Sequence, residues 1–106
     1  MFGWLRRDAA PPLPALEGAV LIDVRSRGEF AGGHIAGSLN LPLDELPARV
    51  ASEVPDKQAP LLLFCASGIR SGRAAAFLAA QGYTQAHNGG SVGAVATKLG
   101  RPIQRG

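Results

Sequence analysis

The residue most capable of chemistry is the single cysteine, Cys65, in the stretch LLLFCASGIRSGRAAAFLAAQG that runs from Leu61 to Gly82. Four small or apolar residues, Ala66, Ser67, Gly68 and Ile69, separate it from Arg70, and Ser71 follows. A backbone that rich in small residues can curl tightly and turn successive N–H groups inward as an anion-binding nest. A thiol inside such a nest, beside a guanidinium and a helix start, ionises at roughly pH 3.5–7.5 and becomes a nucleophile at neutral pH. Hydrogen bonds to an anion are each worth about 1.5–3 kcal/mol, against about 0.3–1 for the helix dipole, so the amides carry most of the effect. The bland alternative is a core cysteine, which is the usual state of a free thiol. The turn and helix start directly after Cys65 weigh against it.

Specific elements must hold that loop in place. Leu61, Leu62, Leu63, Phe64 and Cys65 are uniformly apolar, as in a buried strand of a parallel sheet. After the loop, Ala74, Ala75, Phe77 and Leu78 recur with the spacing of one helical face, which predicts a helix over residues 71–81 stopped by Gly82. Ligands in open α/β sheets bind beyond the carboxyl ends of the strands, where helix N-termini also point.

The other elements follow from pattern. Residues 19–24 read as a buried strand whose end carries Asp23 and Arg25, a pair expected to brace the adjoining loops. Ser26 and Glu29 are spaced as a capping box, and Gly32 and Gly33 keep that helix short. His34 reads as a satisfied structural histidine in preference to a general base. Residues 38–41 form a short strand ended by Pro42. Asp44 is the expected N-cap of a helix that tolerates Pro47 in its first turn. Residues 83–87 offer a last strand, Asn88, Gly89 and Gly90 a turn, and Ser91 the cap of a helix ending near Gly100.

Residues 65–71 resemble the active-site loop of the rhodanese (thiosulfate sulfurtransferase) family. The runs Leu21-Ile22-Asp23-Val24-Arg25, Glu29-Phe30 and residues 33–42 are similar to that family's other signatures in the same order, as are Gly82-Tyr83 and Gly89-Gly90. The likeness spans residues 19–100 and points to the small single-domain bacterial members, including the phage-shock-operon type. Where that family often has tryptophan shortly after the Gly-Gly pair, this chain has Ser91-Val92-Gly93-Ala94. The resemblance implies an α/β rhodanese-like fold, a four- to five-stranded parallel sheet with helices on both faces, in which the usual first strand is in doubt. It implies thiosulfate as sulfur donor, cyanide or a cellular thiol as acceptor, and a persulfide on Cys65. Arg70 would draw in the donor, with Ala66, Ser67, Gly68, Ile69 and Ser71 as the binding cradle.

Composition bounds the alternatives. A chain of 106 residues with 46% hydrophobic content suits one domain, read as residues 19–106 after a proline-rich lead-in over 1–18. Eleven Lys and Arg against eight Asp and Glu are scattered without an aromatic-basic cluster, so no nucleic-acid partner is expected. One cysteine and two histidines without ligand spacing predict no metal and no cofactor. No membrane span or secretory pattern is visible, so the expected compartment is the cytoplasm, or the periplasm if a signal peptide has been removed. A monomer is expected. A phosphatase or arsenate reductase of the dual-specificity type would have a loop one residue longer, to surround a phosphoryl group. A carrier loaded by a partner protein's persulfide would share this same loop, and so remains the main alternative. A non-enzymatic interaction module would more often lack the cysteine.

Overall fold

A computed structural model describes residues 18–106. Residues 1–17 of the proline-rich lead-in lie outside them, as does any strand there. Five fully buried residues form the centre: β4, Leu61–Cys65. It lies between β1 (Val20–Asp23) and β5 (Ala86–Ser91), and β3 (Leu39–Asn40) completes a four-stranded parallel sheet in the order β3-β1-β4-β5. Strands covered on both sides need no alternation of polar and apolar residues, which is why β4 is apolar throughout. Leu61, Leu63 and Phe64 have no exposed surface, and burying each contributes about 1.5–3 kcal/mol.

Helices cover both faces. On one, Leu46 and Val50 of α2 (Leu46–Glu53) and Ala74 and Leu78 of α3 (Ile69–Ala80) pack with Ile22, Leu61, Leu63 and Cys65. On the other, Val95 and Ala96 of α4 (Val92–Leu99) pack with Leu21, Leu62, Phe64 and Ile35. The expected rhodanese-like α/β fold is therefore present, with four strands in the main sheet. The sequence does not show a second, two-stranded antiparallel ribbon made by β2 (His34–Ile35) and β6 (Ile103–Gln104). Two-residue strands carry no period to detect.

The capping box at α1 (Arg27–Gly32) forms as read, with Ser26 and Glu29 each bonding the other's backbone N–H. Ser91 caps α4, and Gly100 closes it in the left-handed conformation. Asp23 and Arg25 are both buried and doubly bonded, and the Arg25 guanidinium continues to the Gly33 carbonyl at 2.7 Å, joining the end of β1 to the start of β2. His34 is buried, stacks on Phe30 and bonds its carbonyl through Nδ1 at 2.9 Å.

Three expectations need correction. Asp44 is exposed and is not an N-cap: α2 starts from Glu45 with no side-chain cap, its missing donor absorbed by a proline in the first turn. Glu45 instead takes Arg27 and Arg49. The last parallel strand spans Ala86–Ser91, not residues 83–87. Tyr83 is buried before the strand begins, donating its hydroxyl to the Val54 carbonyl at 2.6 Å. The expected Asn88-Gly89-Gly90 turn lies inside that strand, at a bulge opposite Leu63 and Phe64. A Cβ on Gly89 would come within 2.9 Å of Val95 and 3.0 Å of Leu62, so glycine there marks close strand–helix packing. Among the described residues, no helix is long and apolar enough to cross a membrane.

Candidate active site

The loop turns where β4 ends. Gly68 sits at φ +97° as the N-cap of α3, and a Cβ there would lie 3.3 Å from the Gly90 Cα. Glycine reaches this left-handed geometry without the steric cost other residues pay. The helix therefore starts at Ile69, two residues before the expected boundary, and Arg70 and Ser71 belong to its first turn. That early start aims an amide. The Gly68 N–H donates to Cys65 Sγ at 3.0 Å, and the Ser71 hydroxyl lies 3.5 Å from the same sulfur.

Burial pushes the Cys65 thiol up. The Ser71 hydroxyl and the Ser71, Ser67 and Gly68 N–H groups outweigh that, bringing it from 9 down to about 7. The hydroxyl has one proton to give, and it stands 2.7 Å from Asn88 Oδ1 against 3.5 Å from the sulfur. The Gly68 amide is the steadier donor. Asn88 Nδ2 also donates to the Gly68 carbonyl at 3.0 Å, so a β5 side chain holds both ends of the loop. Alkylation of Cys65 is accordingly expected to rise with a midpoint near pH 7. A midpoint near 9 in a stopped-time iodoacetamide series would show that the amides do not stabilise the anion.

Cys65 itself has no exposed surface. What separates it from an inert core cysteine is the convergence of N–H donors on its sulfur. Ala66 and Ser67 are exposed and Gly68 is half-buried. Ile69 is 68% exposed, a large apolar side chain at the rim that does not line the cradle.

Arg70 has a partner that the sequence does not show. Its NH1 and NH2 groups donate to the two oxygens of Glu29 at 2.7 and 3.0 Å, tying α3 to α1. Arg70 first, then the Ser26 N–H, hold the Glu29 carboxyl down at about 2. Residues 29 and 70 are far apart in the chain, and no local pattern pairs them; Glu29 reads from sequence only as a helix cap. Asn88 is the other missed residue, since an Asn-Gly-Gly run signals a turn. A cleft of about 290 Å³ beside Arg70 is lined by Val24, Ser26, Pro42, Leu43 and Asp44.

Known proteins resemble this chain in sequence and fold. The rhodanese-like domain model matches residues 10–93. The thiosulfate sulfurtransferase PspE of Escherichia coli (strain K12) is 36% identical over 80 residues, covering 76% of this chain and 77% of that one. YqhL of Bacillus subtilis is 47% identical over 70 residues, or 66% of this chain, and the match spans about half of that protein, 54%. Among solved structures, a rhodanese with anions from E. coli superposes with a TM-score of 0.73 at 33% identity, over 83% of this chain and 99% of the other. A thiosulfate sulfurtransferase from Pseudomonas aeruginosa gives 0.75 at 28% identity, over 88% of this chain and 18% of that one. Sequence and overall superposition agree, and the chain belongs to the rhodanese-like domain family.

Proposed function

We propose that the protein is a thiosulfate sulfurtransferase that passes sulfane sulfur to cyanide or a cellular thiol through a persulfide on Cys65. The observation that carries this reading is the Gly68 N–H donating to one ionisable sulfur at the start of a helix, with the Ser71 hydroxyl beside it. The names of PspE and the Pseudomonas aeruginosa structure support the choice of thiosulfate.

In the first half-reaction the Cys65 thiolate attacks the outer sulfur of thiosulfate, forming the Cys65–S–S⁻ bond. The S–S bond of thiosulfate breaks and sulfite leaves with its electron pair. Three negative charges enter and three remain, so no proton or electron is needed from elsewhere. The new terminal sulfur is anionic and takes over the amides that held the thiolate. Cys65 has no exposed surface, so the donor reaches it only when the residues around the sulfur give way. In the second half-reaction cyanide or a thiolate attacks that terminal sulfur and Cys65 departs as thiolate. Two separate half-reactions predict ping-pong kinetics, with parallel initial-rate plots.

Intact-protein mass spectrometry tests the scheme. Thiosulfate is expected to add one sulfur atom to the protein, and cyanide to remove it. Failure to gain that mass would sink the reading. Arg70→Ala removes a charged contact from the mouth of the site and leaves Glu29 unbalanced. It should lower kcat/KM for thiosulfate about tenfold. Unchanged thiosulfate kinetics would remove Arg70 from donor binding.

A further inference from the structure

We propose that Glu29 sets the charge preference of the site, discriminating against a doubly charged sulfur donor relative to a singly charged one. The inference rests on the sulfur-transfer reading above and adds a residue that the loop motif does not contain. The fork of Arg70, its NH1 and NH2 edge, is the part of a guanidinium that grips an oxyanion most firmly, and here Glu29 occupies it with two short bonds. The cation in the first turn of the helix that follows the Cys65 loop is thereby neutralised. Asp23, which also bears on Arg70, is itself balanced by Arg25, and Asp44 on the same cleft adds negative charge. Once Cys65 ionises, an arriving thiosulfate dianion meets a site whose net charge is negative. Repulsion scales with the donor's charge, so a monoanion with the same transferable sulfur loses less.

Glu29 cannot easily swing away, because its Oε1 also accepts the Ser26 N–H at 3.0 Å in the capping box. The helix cap holds the carboxylate where it masks Arg70. Both partners are a little over one-third exposed, so water and salt weaken the effect without abolishing it.

Glu29→Gln tests this directly. The glutamine oxygen keeps the Ser26 and Arg70 NH1 bonds in the Oε1 position, and the negative charge is gone. The donors are thiosulfate, a dianion, and benzenethiosulfonate, a monoanion that also surrenders an outer sulfur and releases a sulfinate. In a ping-pong scheme, kcat/KM for the donor reports the first half-reaction alone. It is expected to rise about threefold or more for thiosulfate and less than twofold for benzenethiosulfonate, and the gap should close at high salt. A structural role alone would lower both together with the melting temperature. An equal change for both donors, no change, or a fall for thiosulfate overturns the inference while sulfur transfer stands. An unsubstituted protein inactive toward both donors overturns the sulfur-transfer reading, and this inference with it.

Discussion

Cys65→Ser should abolish sulfur uptake from thiosulfate, with a fall in transfer rate of at least about 10⁴-fold, the scale seen when a covalent nucleophile is removed. The reason is electronic. The amides around residue 65 lower a thiol from 9 to about 7, so near half of it is thiolate at neutral pH. An alcohol starts so much higher that the same donors leave it protonated, and oxygen cannot form the persulfide. The fold should survive. Cys65 has no exposed surface and packs with Ile22, Leu63 and Ala74, but serine is close in size and its oxygen meets the Gly68 N–H already aimed there. A stability loss below about 2 kcal/mol is expected. Mass spectrometry and thermal melting of the same sample check both halves. A serine variant that melts normally and still acquires sulfur would place the chemistry elsewhere.

Arg25→Ala should cost about 3–5 kcal/mol, a large share of the roughly 5–15 kcal/mol that holds a domain together. The Asp23 carboxylate is completely buried, and Arg25 supplies its Nε and NH2 donors at distances from 2.7 to 3.1 Å. Without the guanidinium only the Arg25 backbone N–H, 3.0 Å away, remains on that carboxylate, and the Gly33 carbonyl loses its partner as well. Burying an unpaired charge is far costlier than never burying a pair. Asp23→Asn combined with Arg25→Met should therefore recover much of the loss, since no naked charge is left. Urea melts of the three proteins decide the matter. If the single variant is as stable as the parent, the pair does not brace the strand ends. Because Asn40 Nδ2 also ties the Asp23 and Arg25 carbonyls at 3.0 Å, some of the local backbone order should persist even in the single variant.

Local chemistry determined a good deal here before any fold was known. The apolar run Leu61–Cys65 reads as a covered strand, the Ser26–Glu29 spacing as a helix cap, and Gly68 shortly before Arg70 and Ser71 as a tight turn into a helix. All three depend on residues within a few positions of one another, where backbone sterics and periodicity act. Boundaries were less legible. Residues 88–90 have turn chemistry but pair with β4, because two glycines let the strand bulge and lie close under α4. The Tyr83 side chain, aromatic and apparently strand-like, instead packs under α2 to reach the Val54 carbonyl.

What the tertiary structure alone decided is which distant groups complete the candidate site. Asn88 reaches the loop only because β5 lies beside β4 in parallel register, and Glu29 meets Arg70 only because α1 and α3 start at the same end of the sheet. A sequence lists charges and amides but not the separations between them, and both electrostatics and hydrogen bonding are set by separation. The cysteine and its turn were therefore written in adjacent residues, while the carboxylate that pairs with the arginine was fixed by the packing of the whole sheet.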